Sequence, residues 1–195
     1  MRFRLPLLLL AAALWTVAPA PAQDQLRADA PDDWLIQDAT VLTVTNGTIE
    51  NGDILVRDGD IARVGQDLSA PSGVETYDAS GEYVMPGIVE AHQHMAISDV
   101  NEATNPVTAE VGVGDVLNPY DIGIYRALAG GVTTAHVMHG SANPIGGRNE
   151  TIKLRYGVTT PSALKMEDAP RTVKFALGEN PTGLYGQGRD QVPRT

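Results

Sequence analysis

Val84-Met85-Pro86-Gly87-Ile88-Val89-Glu90-Ala91-His92-Gln93-His94 decides how the rest of this chain is read. Pro-Gly interrupts a short apolar run, and the run ends in two histidines separated by one residue. An apolar run of this length bounded by turn residues reads as a buried strand. Side chains at i and i+2 of a strand point to the same side, so His92 and His94 are expected to leave its C-terminal end together. Burying two imidazoles without partners would cost roughly 2 kcal/mol or more for each. A divalent metal ion removes that cost, because neutral imidazole is a good ligand for Zn and its neighbours.

The sequence after the pair supplies the next elements. Residues 96–117 are mixed and Gly-punctuated, which suggests a long loop over the end of the first strand. Asn118 reads as an N-cap with Pro119 at the first helical position. Ile122, Ile124, Tyr125 and Leu128 supply an apolar stripe, and Gly130-Gly131 stops the helix. The β-branched run Val132-Thr133-Thr134-Ala135-His136-Val137-Met138 then reads as a second strand. Strand, helix and strand in this order predict a parallel βαβ unit. Parallel strands with chemical groups at their C-terminal ends point to a TIM-type barrel.

The stretch from Val84 to His94 resembles the first barrel strand of the amidohydrolase superfamily, whose pattern is Pro-Gly, two apolar residues, Asp, any residue, then His-x-His. Glu90 stands here in place of the Asp. Gly131-Val132-Thr133-Thr134 and Ala176-Leu177-Gly178-Glu179-Asn180-Pro181 are similar to segments of the imidazolonepropionase-like branch. The resemblance implies an α/β fold, the N-terminal part of a TIM-type (β/α)8 metal-dependent hydrolase barrel (residues 84–195) preceded by a small antiparallel β-sandwich domain (residues 34–83). A full barrel takes about 250 residues, and only about 110 follow Val84, room for three or four strand-helix units. The chain is therefore expected to be part of a longer protein.

In residues 34–79, Asn46-Gly47, Asn51-Gly52 and Asp58-Gly59 fall between alternating apolar runs. Such pairs supply the positive φ angles of tight hairpins, so an antiparallel sheet is expected. Upstream, Arg2 and Arg4 precede a Leu- and Ala-rich run that closes at Ala20-Pro21-Ala22, the composition of a secretory signal peptide over residues 1–22. Polar residues 23–33 read as a linker. Export to the periplasm or the outside follows, with no membrane attachment after cleavage. The formal charge is −10, and cleavage makes it two units more negative because only Arg2 and Arg4 leave with the leader. An acidic surface repels nucleic acid and anionic lipid. The sequence has no cysteine, which excludes disulfides and thiolate chemistry and leaves His, Asp, Glu or Lys as ligands.

Four further residues carry site expectations. His139 lies where the second strand ends, on the chemical face, and reads either as a plain loop or core histidine or as a candidate for substrate contact. Arg148, after the glycine-rich loop Gly140-Ser141-Ala142-Asn143-Pro144-Ile145-Gly146-Gly147, reads either as a solvated surface residue or as a candidate holder of a substrate carboxylate. That loop lacks a phosphate-loop or dinucleotide spacing, so its glycines are expected to serve a tight turn. Glu179 follows the predicted strand Thr172-Val173-Lys174-Phe175-Ala176-Leu177 and sits at its tip. The superfamily uses a carboxylated lysine or a glutamate from a middle strand to bridge metals. The resemblance therefore makes Glu179 the ligand completing His92 and His94, with Lys174 in reserve.

The histidine pair suggests metal-activated hydroxide on a divalent ion such as Zn, and the resemblance implies a hydrolase of non-peptide or dipeptide-like amide C–N bonds in a small molecule. The catalytic base would lie on later strands, so the chain alone is expected to be inactive. The reading from a different class is an exported, non-catalytic metal-binding or interaction module on a hydrolase scaffold. Homo-oligomerisation is left open.

Overall fold

A computed structural model describes residues 33–186. The leader expected over 1–22, nearly all of the linker and the tail beyond 186 lie outside the described residues.

The first half of the described chain builds one five-stranded sheet from β1 (Trp34–Leu42), β2 (Thr48–Arg57), β3 (Asp60–Gly65), β4 (Glu75–Asp78) and β5 (Tyr83–Val84). β1–β2 and β2–β3 are antiparallel. Asp58-Gly59 makes the β2–β3 turn with φ of 52° and 80°, the left-handed pair that a two-residue hairpin needs. The sheet is mixed rather than antiparallel, because β4 and β5 both run parallel to β1 on its other side. After β3 the chain crosses to the far edge of β1 instead of folding back as a third hairpin. Asn51-Gly52 is not a hairpin either. It lies inside β2 as a bulge opposite Ala39, with Asn51 at φ 47° and Asp38 across from it at 61°. A Cβ on Gly52 would meet Val41 Cγ2 at 2.9 Å. Asp53, buried beside this irregularity, accepts hydrogen bonds from the backbone N–H groups of Asp38 (3.0 Å) and Leu68 (2.8 Å). That carboxylate supplies partners the disturbed ladder cannot.

The second half opens with β6 (Ile88–Gln93), α1 (Ile122–Ala129) and β7 (Val132–Val137), and β6 and β7 pair in parallel. The helix begins three residues later than the sequence suggests. Asp121 is its cap, accepting from Gly123 N–H at 2.8 Å, while Asn118 accepts from Tyr120 N–H in a preceding turn. The other oxygen of Asp121 takes Ala96 N–H at 2.7 Å, which ties the helix start to the chain leaving β6. Residues 118–121 thus serve a turn, and a helix needs its first free N–H groups satisfied where it starts.

Beyond β7 the chain departs from regular strand-helix alternation. β8 (Ile145–Arg148) and β9 (Glu150–Lys153) follow directly, with β9 antiparallel to β7. The strand expected over 172–177 is the three-residue β10 (Val173–Phe175), antiparallel to β8 in a separate two-stranded sheet. Among the described residues there is one βαβ unit rather than three or four, because Asn149 passes a single extended run from one sheet to the other. Ile124 of α1, Val137, Ile152 and Leu164 form the centre of the core here. Burial of each contributes about 1.5–3 kcal/mol.

β6 is less covered than a buried strand: Ile88 and Val89 are 45% and 66% exposed. It is the end strand of its sheet, in the order β6-β7-β9.

Candidate metal centre

The end of β6 brings His92 and His94 together. Their Nε2 atoms are 3.2 Å apart and the rings meet edge to face at 76°. Each neighbour in the chain fixes its own backbone: Glu90 Oε1 accepts His92 N–H at 3.0 Å, and Gln93 Oε1 accepts His94 N–H at 2.7 Å. Glu90, in the place of the family's Asp, therefore shapes the strand end. β7 supplies the next constraint. His94 Nδ1–H donates to the carbonyl of Met138 at 2.9 Å, while Met138 N–H donates to Gln93 O at 2.8 Å. A carbonyl can only accept, so the proton of neutral His94 sits on Nδ1 and its Nε2 lone pair faces His92.

The third group is Lys174 of β10. Its Nζ lies 3.3 Å from His92 Nε2 and 4.0 Å from Met138 Sδ. The ammonium is the largest influence on His92, holding its pKa below the ordinary histidine value, with partial desolvation and His94 acting in the same direction. The imidazole is thereby kept in the neutral form that ligates metal.

The donor set fits a cation. The Nε2 atoms of His92 and His94 converge to 3.2 Å with Lys174 Nζ beside them, and neutral imidazole is a good ligand for divalent ions such as Zn.

Glu179 is placed differently. Gly178, at φ 94°, turns the chain after β10, and Glu179 starts the short helical segment Glu179–Pro181. Its side chain lines a shallow cavity with Ser141, Lys174 and Asn180. Among the described residues no three His, Cys, Asp or Glu side chains form a metal-binding group, so Glu179 does not join the pair. The strand is shorter than expected, which leaves Lys174 facing the histidines and Glu179 past the turn.

His139 is not available to a substrate. It is buried, its Nδ1–H donates to Gly140 O at 3.0 Å, and its Nε2 accepts Glu102 N–H at 2.9 Å. The glycine loop has a corresponding purpose. Gly146 and Gly147 lie in β8, and a Cβ on them would come within 2.6 Å of His139 Nδ1 and 2.8 Å of its Cδ2. Neither has a positive φ, so these glycines give the ring room instead of making a turn. Arg148 donates to the carbonyls of Glu110 (2.9 Å) and Val111 (3.3 Å) and lines a cavity with Asp115, Glu150, Lys165 and Arg171.

Sequence reasoning missed Met138, whose backbone and sulfur touch both halves of the centre. It also missed the setting of His136, held between Thr151 Oγ1 and Thr172 Oγ1 at 2.9 Å each. Alternation along β7 was the available clue, since it places His136 and Met138 on one face.

No protein-family model matches the chain. It is 31% identical over 203 residues to the amidohydrolase tasK of Hapsidospora irregularis, an alignment covering 93% of this chain and 19% of that protein. A crystal structure of an amidohydrolase from Thermotoga maritima MSB8 superposes with a TM-score of 0.75 at 40% identity, over 83% of this chain and 43% of that one. A dihydroorotase from Geobacter metallireducens is 44% identical over 61 residues, 31% of this chain and 14% of that protein. An α/β chain with paired strand-end histidines and this kinship belongs to the amidohydrolase superfamily. It spans less than half the length of each of these relatives.

Proposed function

We propose that the protein containing this chain is a metal-dependent hydrolase of C–N bonds in small amides, with His92, His94 and Lys174 on one side of its metal site. The convergence of the two Nε2 atoms and Lys174 Nζ carries this reading. The names of the relatives, amidohydrolase and dihydroorotase, support the reaction class.

His92 and His94 would present neutral nitrogens, the second oriented by the Met138 carbonyl. Lys174 takes the bridging role in place of Glu179. Its neutral amine would add to CO2 and release a proton, giving a carbamate whose oxygens serve as anionic ligands, as the superfamily resemblance implies. A divalent ion such as Zn, when bound, supplies Lewis acidity and brings water to a pKa near neutrality. Arg148 would hold an anionic group of the substrate, since no carboxylate among the described residues lies within ion-pair distance of it. Its cavity is walled by Thr151 and Thr172, the two residues that hold His136.

The reading includes the remaining barrel strands, an aspartate general base upon them and export by the leader. The 195-residue chain by itself is then expected to bind metal weakly and leave amides intact. The test is metal content and amide hydrolysis in the protein that carries this chain. The double variant His92→Ala/His94→Ala should lose both, and Lys174→Ala should lose most of the bound metal where Glu179→Ala keeps it. Undiminished hydrolysis after exhaustive metal removal would overturn the reading.

A further inference from the structure

Met138 is held from two sides. On one side its N–H and C=O bond to Gln93 and His94. On the other it is joined to His139, the most tightly enclosed histidine of the described chain. The His139 ring is sealed by Gly140 O and Glu102 N–H, and its backbone N–H donates to Asn149 Oδ1 at 3.1 Å. β8 passes so close beneath the ring that only glycine fits at 146 and 147. The loop bearing Glu102 is itself fastened, because Asn143 Nδ2 donates to Glu102 O (2.8 Å) and Asn105 O (2.7 Å), and Tyr185 OH donates to Ala103 O at 2.6 Å. Thr108 Oγ1 accepts from Asn143 Nδ2 and donates to Glu102 O, each at 3.2 Å, and the side chains of His139, Asn143, Thr108 and Tyr185 are all buried.

We infer that His139 is a positioning residue for the metal centre: seated on Gly146-Gly147, it fixes the Met138 carbonyl, which in turn orients His94 and holds its proton on Nδ1. The inference rests on the metal reading above. One peptide link separates the seat from the carbonyl, so a displaced ring moves the acceptor of His94. Loss of that bond frees the imidazole to rotate and to place its proton on Nε2, the atom that must carry the lone pair. Hydrogen bonds of this kind to ligating histidines are worth roughly 10- to 100-fold in metal affinity.

The experiment uses the full chain and Zn²⁺ alone, with affinity measured by chelator competition. The His94 tautomer is read from ¹⁵N ring shifts in metal-free protein. Gly147→Ala inserts a methyl group between β8 and the ring. It is expected to weaken Zn²⁺ binding roughly 10- to 100-fold and to turn His94 from the Nδ1–H form to a mixture. Asn149→Ala adds no atoms and removes the bond to His139 N–H together with the Asn149 Nδ2 bond to Thr172 Oγ1, and Thr172→Val, which removes the second and leaves the first, separates the two; a smaller change in the same direction is expected from Asn149→Ala and none from Thr172→Val. Leu35→Ala, in the core of the first sheet, should lower the melting temperature while leaving affinity and tautomer as they were. An unchanged affinity and pure Nδ1–H tautomer in both Gly147→Ala and Asn149→Ala overturn the inference. So does an equal loss of affinity in Leu35→Ala, which would make the effect one of stability. If unaltered protein binds no Zn²⁺, the metal reading fails, and the tautomer still decides whether His139 positions His94.

Discussion

At His92 most of the surroundings act in one direction. Lys174 first, then partial desolvation and His94, hold its pKa below the usual histidine value, while Glu90 opposes them weakly. A histidine with a depressed folded-state pKa binds fewer protons folded than unfolded between that value and about 6.5. Its contribution to stability is therefore complete above about pH 6.5 and is lost as the pH falls through the folded-state value. Metal affinity should fall in the same window, since protonation removes the lone pair. Replacing Lys174 by Met is expected to raise the His92 pKa toward its ordinary value in metal-free protein, measured by NMR titration of the ring. A His92 titration that does not move would show that Lys174 is not what governs it. The histidine pair was legible in the sequence because strand spacing alone makes i and i+2 converge. That Lys174 rather than Glu179 lies beside the histidines was not, since it turned on β10 ending after three residues. Of the two readings open for His139, the buried one describes its setting, and burial of one polar ring leaves no periodic trace. Its one sign was Gly146-Gly147, two adjacent glycines that a strand has reason to keep only where another group approaches closely.

At the scale of elements, Asp121 does two tasks with two oxygens. It caps α1 through Gly123 N–H and holds Ala96 N–H, two residues after His94. Asp121→Ala should cost about 1–2 kcal/mol for the cap, with a further cost of about 1–3 kcal/mol for leaving the N–H of buried Ala96 without its acceptor. Asn118→Ala, which removes only the contact with Tyr120 N–H, should cost well under half as much. Urea unfolding of the two variants measures the difference. Equal losses would return the cap to Asn118, where the Asn-Pro pattern had placed it. The sequence showed that a helix joins two parallel strands, because the apolar stripe and Gly130-Gly131 are strong cues. It did not separate a turn at 118–121 from a first helical turn, since Asn, Pro and Asp favour both. The same ambiguity made Asn51-Gly52 look like a hairpin when it is a bulge facing Asp38.

Across the whole molecule, the parallel arrangement read from the sequence holds for β6 and β7, and the strands that follow turn antiparallel. Nothing in the composition of Ile145–Lys153 announces that one run will serve two sheets; pairing partners distant in sequence decide it. Several apolar side chains of these strands stay exposed. Val89 of β6 and Phe175 of β10 are 66% and 61% exposed, and Leu177 just beyond is 93% exposed. β6 ends its sheet, so among the described residues one of its edges has no strand beside it. Exposed apolar side chains next to an open strand edge favour association with another copy. The net charge of −10 opposes it, but charge repulsion is screened beyond about 8 Å at physiological ionic strength, whereas edge pairing acts at contact. The isolated 195-residue chain is therefore expected to bind an apolar dye and to associate more as salt is raised. Val89→Lys replaces one of these side chains with a charge. It should reduce both effects without altering Zn²⁺ affinity, because the side chain lies three residues before His92 and outside every contact of the metal centre. Sedimentation velocity across a range of concentrations and salt decides the matter. A chain that stays monomeric at high salt and binds no dye would mean that these side chains are covered by something other than a second copy.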